Sequence, residues 1–400
     1  MKTILFICYW FPPANVIGAL RPYQQIQYFI SQGYKVVVIC ADFPGELNID
    51  IGNVNQLKIF RYNNKFTSFL LPNLKGGTDN LFFRVMKTSI RNFFFPDQFI
   101  LNKHNILKLA DNFIEKEGIP SIIISSALPF SMHTIAFQIS KKYQIKWIAD
   151  HRDLWAQSPY RKRFGFLRKL DGLYEKNILN HASYNIVIGE KMKKELEIIL
   201  PEKNIAVIRN GSDISDVNNK VKLSTTELIF SYTGILYGGF RDPSALFEAI
   251  LLDDELTKIS KVNFYGSEKE VVFNYKQKYK ELNLFFHEKK VKTAIKEIQC
   301  HSHFLVIALG NTDFEKSVLT GKFYEYLETG RAIIALCDED SELAILINTH
   351  QVGIATRNPS KILQYIKQNI KQNFPLYRIP EELTRNYQNK LLLNLIEELL

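Results

Sequence analysis

Lys322 and Glu325 stand three residues apart in the stretch Thr320-Gly321-Lys322-Phe323-Tyr324-Glu325-Tyr326-Leu327. On a helix that spacing puts both side chains on one side, close to the N-terminus. Thr320 suits an N-cap, and Gly321 lets the backbone come close to a ligand. Phe323, Tyr324 and Leu327 are spaced to pack one face, Gly330 ends the helix, and Ile333 to Leu336 follow as a buried strand. A lysine beside free helix N–H groups suits a diphosphate. A carboxylate one turn later accepts two hydrogen bonds and suits a pair of sugar hydroxyls. The plainer alternative is a surface Lys–Glu pair on an ordinary strand–helix unit.

Other polar groups fall where strands end. Lys146 to Ala149 reads as a strand, and Asp150-His151-Arg152-Asp153 follows it, two of the four residues being acidic. Polar residues in such a loop mark a site-facing position. Ile4 to Tyr9 reads as the first strand, and the loop Trp10 to Pro22 after it holds Gly18 and Arg21. Leu228 to Thr233 opens a second sheet, and its loop carries Gly234, Gly238, Gly239 and Arg241. Glycines admit phosphate close to the backbone, and an arginine offers two parallel donors.

Taken together these stretches resemble the GT-B retaining glycosyltransferases, family 4 in particular. Gly321 to Leu327 with Gly330 and Ile333 to Leu336 is similar to that family's donor motif. Tyr9-Trp10-Phe11-Pro12-Pro13-Ala14 with Gly18 to Pro22, Asp150 to Trp155, and Asn210-Gly211-Ser212-Asp213 are similar to others, in the family's order. The resemblance implies nucleotide and phosphate binding by Gly18, Gly239, Arg241, Gly321, Lys322 and Glu325. It implies an acceptor side formed by Arg21 and Asp153, with Asp150 as catalytic candidate and His151 as its rival. The family often has a further glutamate eight residues before Glu325. Here that position is Ser317, with Glu315 two residues earlier.

The elements that must position these groups read as strand, loop, helix, strand, which is the pattern of a doubly wound parallel sheet. The loop after the first strand lacks the GxGxxG spacing of a dinucleotide site. The first helix is expected over Tyr23 to Gln32. Four hundred residues suffice for two full cores. The expected α/β architecture is GT-B, two Rossmann-like domains facing across a cleft. The domains are 1–211 on the acceptor side and 227–378 for the nucleotide sugar, with a polar linker at 212–226. Leu391, Leu392, Leu393, Leu395, Ile396, Leu399 and Leu400 give 379–400 a wide apolar face, expected to pack back on the first domain.

Composition sets further bounds. The hydrophobic share of 46% is that of a soluble globular protein, and no apolar run is long enough for a spanning helix. Pro12-Pro13 cuts the first apolar run short, against a signal peptide. Cys8, Cys40, Cys300 and Cys337 are far apart in sequence and read as free thiols in a reducing cytoplasm. His301 and His303 lack a third ligand, and no metal or other cofactor is expected. His133 reads as a helix-face histidine.

Charge is uneven. Residues 1–200 hold 26 Lys and Arg against 15 Asp and Glu, so 26 − 15 = +11, while the whole chain is +10. Arg161, Lys162, Arg163, Phe164, Phe166, Arg168 and Lys169 form the densest basic cluster, a candidate membrane-facing segment. Anionic lipid attracts such a segment by about 1 kcal/mol per basic side chain. Residues 61–104 also interleave aromatic and basic residues, among them Phe66, Phe69, Phe82, Phe83, Phe93, Arg84, Lys87 and Arg91.

The expected activity is metal-independent transfer of a sugar, with retention, from a nucleoside diphosphate sugar to an acceptor hydroxyl. The expected partners are the nucleotide sugar, a lipid-linked or saccharide acceptor, and an anionic membrane surface, with no nucleic acid. The setting is surface polysaccharide or lipopolysaccharide assembly, peripheral on the cytoplasmic face of the membrane. A GT-B nucleotide-sugar epimerase and a non-catalytic nucleic-acid-binding protein are the alternatives, and no recognisable binding motif supports the second.

Overall fold

The computed structural model describes the chain apart from Asn15 and residues 46–53, 65–93, 159–160, 162, 164, 214–220, 222 and 225. It divides into two compact units, one of residues 1–208 with 389–400 and one of residues 209–388.

Among the described residues the first unit has a seven-stranded sheet in the order β3-β2-β1-β4-β5-β6-β7, with every pairing parallel. The strands are β1 Thr3–Cys8, β2 Lys35–Ala41, β3 Leu57–Tyr62, β4 Ile122–Ser126, β5 Trp147–Asp150, β6 Tyr184–Val187 and β7 Ile205–Val207. Ile4 to Ile7 and Val36 to Ile39 are fully buried, which explains their unbroken apolar runs: helices cover both faces of the sheet. The order reverses between β1 and β4, so the loops after these strands flank a switch point where such sheets bind ligands.

The helix after β1 spans Ile17–Ser31, starting six residues before the expected Tyr23. Proline has no N–H to give inside a helix and is favoured at a helix start. Here Pro22 lies in the interior. Its ring leaves the carbonyl of Gly18 without the usual helical donor, and Arg152 Nη1 donates to that carbonyl at 2.7 Å. At the chain's end the helix Arg385–Leu399 brings Leu392, Leu393 and Ile396 into the same core as Ile4, Phe6 and Val36. The chain end therefore returns to the first unit, and the apolar face that the sequence displays is spent there.

The second unit has a six-stranded parallel sheet, β10-β9-β8-β11-β12-β13, among the described residues. Its strands are β8 Leu228–Thr233, β9 Ser260–Tyr265, β10 Asn283–His287, β11 Phe304–Ala308, β12 Ala332–Leu336 and β13 Gly353–Ala355. One face buries Phe230, Phe247, Phe264 and Phe304, with Phe230 and Phe304 stacked at 5.1 Å. The other face takes the helix Gly321–Leu327 through Phe323, Tyr324, Tyr326 and Leu327. Hydrogen bonds set the division between the units. Ser212 N donates to Leu383 O and Arg385 N to Ser212 O, each at 2.8 Å, so residues 209–213 are stitched to 383–385 within the second unit. The boundaries accordingly fall at 208/209 and 388/389 rather than near 211 and 379.

Among the described residues no helix is long and apolar enough to cross a membrane. Cys8, Cys40 and Cys337 are buried free thiols, and Cys300 is partly buried.

Candidate functional site

In the second unit the chain turns after β8 at Gly234, where φ is +126°, a backbone region that favours glycine. A Cβ there would stand 2.6 Å from Lys322 Cε and 2.7 Å from Nζ. The lysine therefore lies directly against the turn, and a side chain at 234 would have to displace its ammonium end. Its Nζ sits 4.1 Å from the centroid of the Tyr232 ring. Among the described residues this ammonium has no carboxylate or hydrogen-bond partner. Burial, with the charge of Arg241 added, pushes its pKa down to about 7. This lysine therefore gives up its proton far more readily than an exposed one.

The helix carrying Lys322 is held from below. Tyr326 is fully buried, its hydroxyl accepting from Thr233 N at 3.2 Å and donating to Val306 O at 3.3 Å. That ties the helix to β8 and β11. The Thr320 hydroxyl caps it by accepting from Lys322 N at 3.3 Å. Glu325 is half-buried one turn on. Burial raises its pKa against the opposing charge of Lys292, and among the described residues its carboxylate makes no hydrogen bond or ion pair.

The glycine loop after β8 is shaped by a residue that the sequence reading missed. Glu268 accepts from Leu236 N at 2.9 Å and from Gly238 N at 3.0 Å. Burial pushes its carboxyl up, but these backbone donors outweigh it and hold the pKa below the usual value. The only trace in sequence is an acid two residues beyond Gly266. Gly239, at φ +90°, completes the turn. Arg241 is committed elsewhere: its Nε and Nη2 donate to Glu315 at 3.1 and 3.2 Å, and its guanidinium carbon lies 4.8 Å from the Tyr237 ring centroid. Glu315 is sealed from solvent and also accepts from Gly310 N at 2.9 Å. The Ser317 hydroxyl donates to Phe314 O at 2.7 Å. Close to the place where the resemblance implies a sugar-facing glutamate, the Glu315 carboxylate thus neutralises Arg241.

The first unit treats its candidates differently. Asp150 is fully buried, and Arg21 grips it from Nε at 2.9 Å and from Nη2 at 2.9 Å. Gln25 Nε2 adds a bond at 3.4 Å. His151 is also buried, with Nε2 3.1 Å from Asn185 Oδ1 and its ring 4.6 Å from that of His133. Burial pushes its pKa down to about 4, so it is neutral at pH 7. Neither expected catalytic group reaches solvent, because Asp150 belongs to the β5 ladder and its side chain enters the layer of the helix Ile17–Ser31. Arg21 is likewise buried as its partner. Asp153 is exposed. Gly18 has a packing role as well: a Cβ there would stand 3.0 Å from Trp10 and 3.2 Å from Arg152.

The basic segment is reordered too. Arg161 and Arg163 turn inward to Asp171, at 3.0 and 3.3 Å, and both donate to Pro96 O. Arg168 donates to Ala156 O and Gln157 O at 2.9 and 3.0 Å. These three arginines fasten the loop before the helix Gly165–Leu179, which leaves them poorly placed as a membrane-facing surface. The reason is an inward helix face carrying Asp171 and Glu175, four residues apart and both sealed. The outward face shows Phe166 at 67%, Leu170 at 50% and Leu173 at 67% exposure, with exposed Lys169 and Lys176 beside them. Lys162, Phe164 and the named aromatic and basic residues between 66 and 93 lie outside the described residues.

No family model matches the chain, and no curated protein matches it in sequence. Solved structures do. The lipopolysaccharide outer core galactosyltransferase WaaB, in its apo form, is 12% identical with a TM-score of 0.55, covering 100% of both chains. Anabaena HepE in complex with UDP is 12% identical with a TM-score of 0.56, covering 100% of this chain and 97% of that one. An E. coli structure described as trehalose-6-phosphate bound with UDP-2-fluoro glucose is 9% identical with a TM-score of 0.59, covering 100% and 96%. At these identities the likeness is one of fold, and that fold is GT-B, with two Rossmann-like domains.

Proposed function

We propose that the chain is a glycosyltransferase of the family 4 type, moving a sugar from a nucleoside diphosphate sugar to an acceptor hydroxyl with retention. The observation that carries this reading is the uncommitted pair Lys322 and Glu325 on one short helix, beside a turn that only glycine can make. Lys322 meets the diphosphate and regains its proton there. Its charge then opposes the negative charge that grows on the leaving phosphate as the bond to the sugar breaks. Glu325 accepts hydrogen bonds from two ribose hydroxyls. Glu268 fixes the loop so that Gly234 keeps the lysine in place. Arg241 supports this loop as the partner of Glu315 and brings little net charge. With Lys322 countering the diphosphate, the reaction requires no metal ion. The UDP and UDP-sugar complexes among the structurally similar proteins support a uridine nucleotide as the donor to test first.

On the acceptor side, Asp153 is the exposed polar group of its loop, and Asp150 with His151 supports that loop from within. The acceptor in this reading is a lipid-linked saccharide of surface polysaccharide assembly, met at the cytoplasmic face of the membrane. The exposed stripe Phe166, Leu170 and Leu173, flanked by Lys169 and Lys176, supports contact with an anionic bilayer.

Calorimetry with UDP, GDP and ADP, followed by sugar transfer from the matching donor with and without EDTA, tests the reading. One of the three is expected to bind, and transfer is expected to survive chelation. Failure of all three to bind would overturn the donor site. Activity lost to EDTA and restored by Mg²⁺ would overturn the cation-free account alone.

A further inference from the structure

The second unit also contains a cavity of about 620 Å³ at the opposite end of its sheet from Gly234. Leu228 opens β8 there, His303 precedes β11 and Arg331 precedes β12, and all three line it. Six strand residues at about 3.3 Å each put it roughly 20 Å from the lysine site. Ile259, Ile370 and Phe374 supply apolar wall.

Two buried polar side chains share this cavity, and they differ. His303 is fully satisfied: Nδ1 accepts from Ile229 N at 3.0 Å, which puts its proton on Nε2, and Nε2 donates to Ser224 O at 3.0 Å. It is a neutral wall. Arg331 is 7% exposed and always charged. Its Nε donates to Cys300 O at 2.9 Å and its Nη2 reaches Val221 O at 3.5 Å. Both acceptors are backbone carbonyls, and among the described residues no carboxylate pairs with it. The other charge in the lining, Glu227, is held by Lys261 at 2.5 Å. A buried guanidinium whose described partners include no carboxylate is costly unless something supplies the missing charge. The volume lies in the range of small-molecule sites, apolar walls with few polar groups.

We propose that this cavity is a second ligand site, taking a small amphipathic anion with its oxyanion head on Arg331 and its apolar body against Ile259, Ile370 and Phe374. The head is a carboxylate or a phosphate monoester, which a guanidinium binds alike. Lying away from the nucleotide end of the sheet, the site binds independently of the donor.

Calorimetry on the full chain tests this, using decanoate, octyl phosphate and the uncharged decanol, each below its micelle concentration. Saturable one-to-one binding is expected for at least one anion, at least tenfold tighter than for decanol, and undiminished by saturating UDP. The two anions distinguish a fatty-acid-like from a phosphate-bearing ligand. Arg331→Met should weaken the anion at least tenfold, and Arg331→Lys should keep part of the affinity. Ile370→Trp fills the cavity while leaving Arg331 in place, and should abolish binding even if Arg331→Met folds poorly. No saturable binding of either anion, equal binding of decanol, or binding unchanged in both Arg331→Met and Ile370→Trp would overturn the proposal.

Discussion

The end of β5 and the helix Gly321–Leu327 beside the end of β8 carry ionisable groups in opposite states. After β5, Asp150 and Arg21 bind each other with two oxygens and two nitrogens, and His151 is held neutral against Asn185. On the helix Gly321–Leu327, which follows β11 and brings its lysine against the turn after β8, Lys322 leans on an aromatic ring and Glu325 stands one turn away, each without a hydrogen bond or ion pair among the described residues. In both regions a basic and an acidic side chain stand close to the end of a parallel strand. The regions differ in whether the charge is already answered inside its own unit. A satisfied ion pair is framework, and an unanswered one is available to a ligand.

The largest effect that would sharpen this contrast is on the framework side. Arg21→Met leaves Asp150 buried without its cation and should destabilise the chain by ~3–5 kcal/mol in urea unfolding. Nucleotide affinity of the folded variant should stay at the wild-type value. If Arg21→Met unfolds like the wild type but loses transfer, the pair is chemistry and the contrast collapses.

On the ligand side, Lys322→Ala should weaken nucleoside diphosphate binding ~10–100-fold, the worth of about 1.5–3 kcal/mol for a charged hydrogen bond. Its effect on folding has the opposite sign to that of Arg21→Met. The lysine's pKa is about 7 folded against 10.5 as the ordinary value. Between these values the unfolded chain keeps a proton that the folded chain releases, so this group's contribution to stability rises with pH across the window and is lost as pH falls towards 7. Lys322→Met removes that cost. It should therefore gain on the wild type near pH 7, and the gap should close by pH 10.5. UDP binding at pH 8 should take up close to one proton, read from calorimetry in buffers of different ionisation enthalpy. Zero uptake would mean that Lys322 stays neutral beside the phosphates.

Smaller effects test the surface and the carboxylate. Lys169→Gln with Lys176→Gln should weaken binding to anionic vesicles by ~1 kcal/mol per lysine, in a salt-dependent way. Serine at 166, 170 and 173 should remove what remains. Arg161→Gln should instead show in stability, since its partner is the buried Asp171. Glu325→Gln keeps one acceptor oxygen and should cost about 1 kcal/mol, roughly fivefold in affinity.

Much of the fold is legible in the sequence, because parallel strands buried on both faces read as unbroken apolar runs, as in Ile4 to Ile7 and Ile333 to Leu336. The terminal helix is legible for the same reason, through its wide apolar face. Lys322 and Glu325 are legible by their spacing on a capped helix. What escapes is pairing between distant positions. Nothing local to Asp150 shows that Arg21 will neutralise it, or that Glu315 will do the same for Arg241. The start of the first helix escapes as well, since Pro22 is tolerated through Arg152, a residue 130 positions further on. A run such as Arg161 to Lys169 reads as a charged surface until the acids on the following helix are counted against it.

The contact between Gly234 and Lys322 has a consequence for how such a sequence changes over time. The two positions are 88 residues apart, yet a single methyl group at one would collide with the ammonium at the other. An alanine at 234 would push the ammonium end of Lys322 from its place against the turn, and would also strain a backbone at φ +126°. A shorter residue at 322 would remove the collision, while φ +126° would still call for glycine at 234. In a family tree of related chains, Gly234 should therefore outlast Lys322, since lineages without the lysine still need the glycine for the backbone turn.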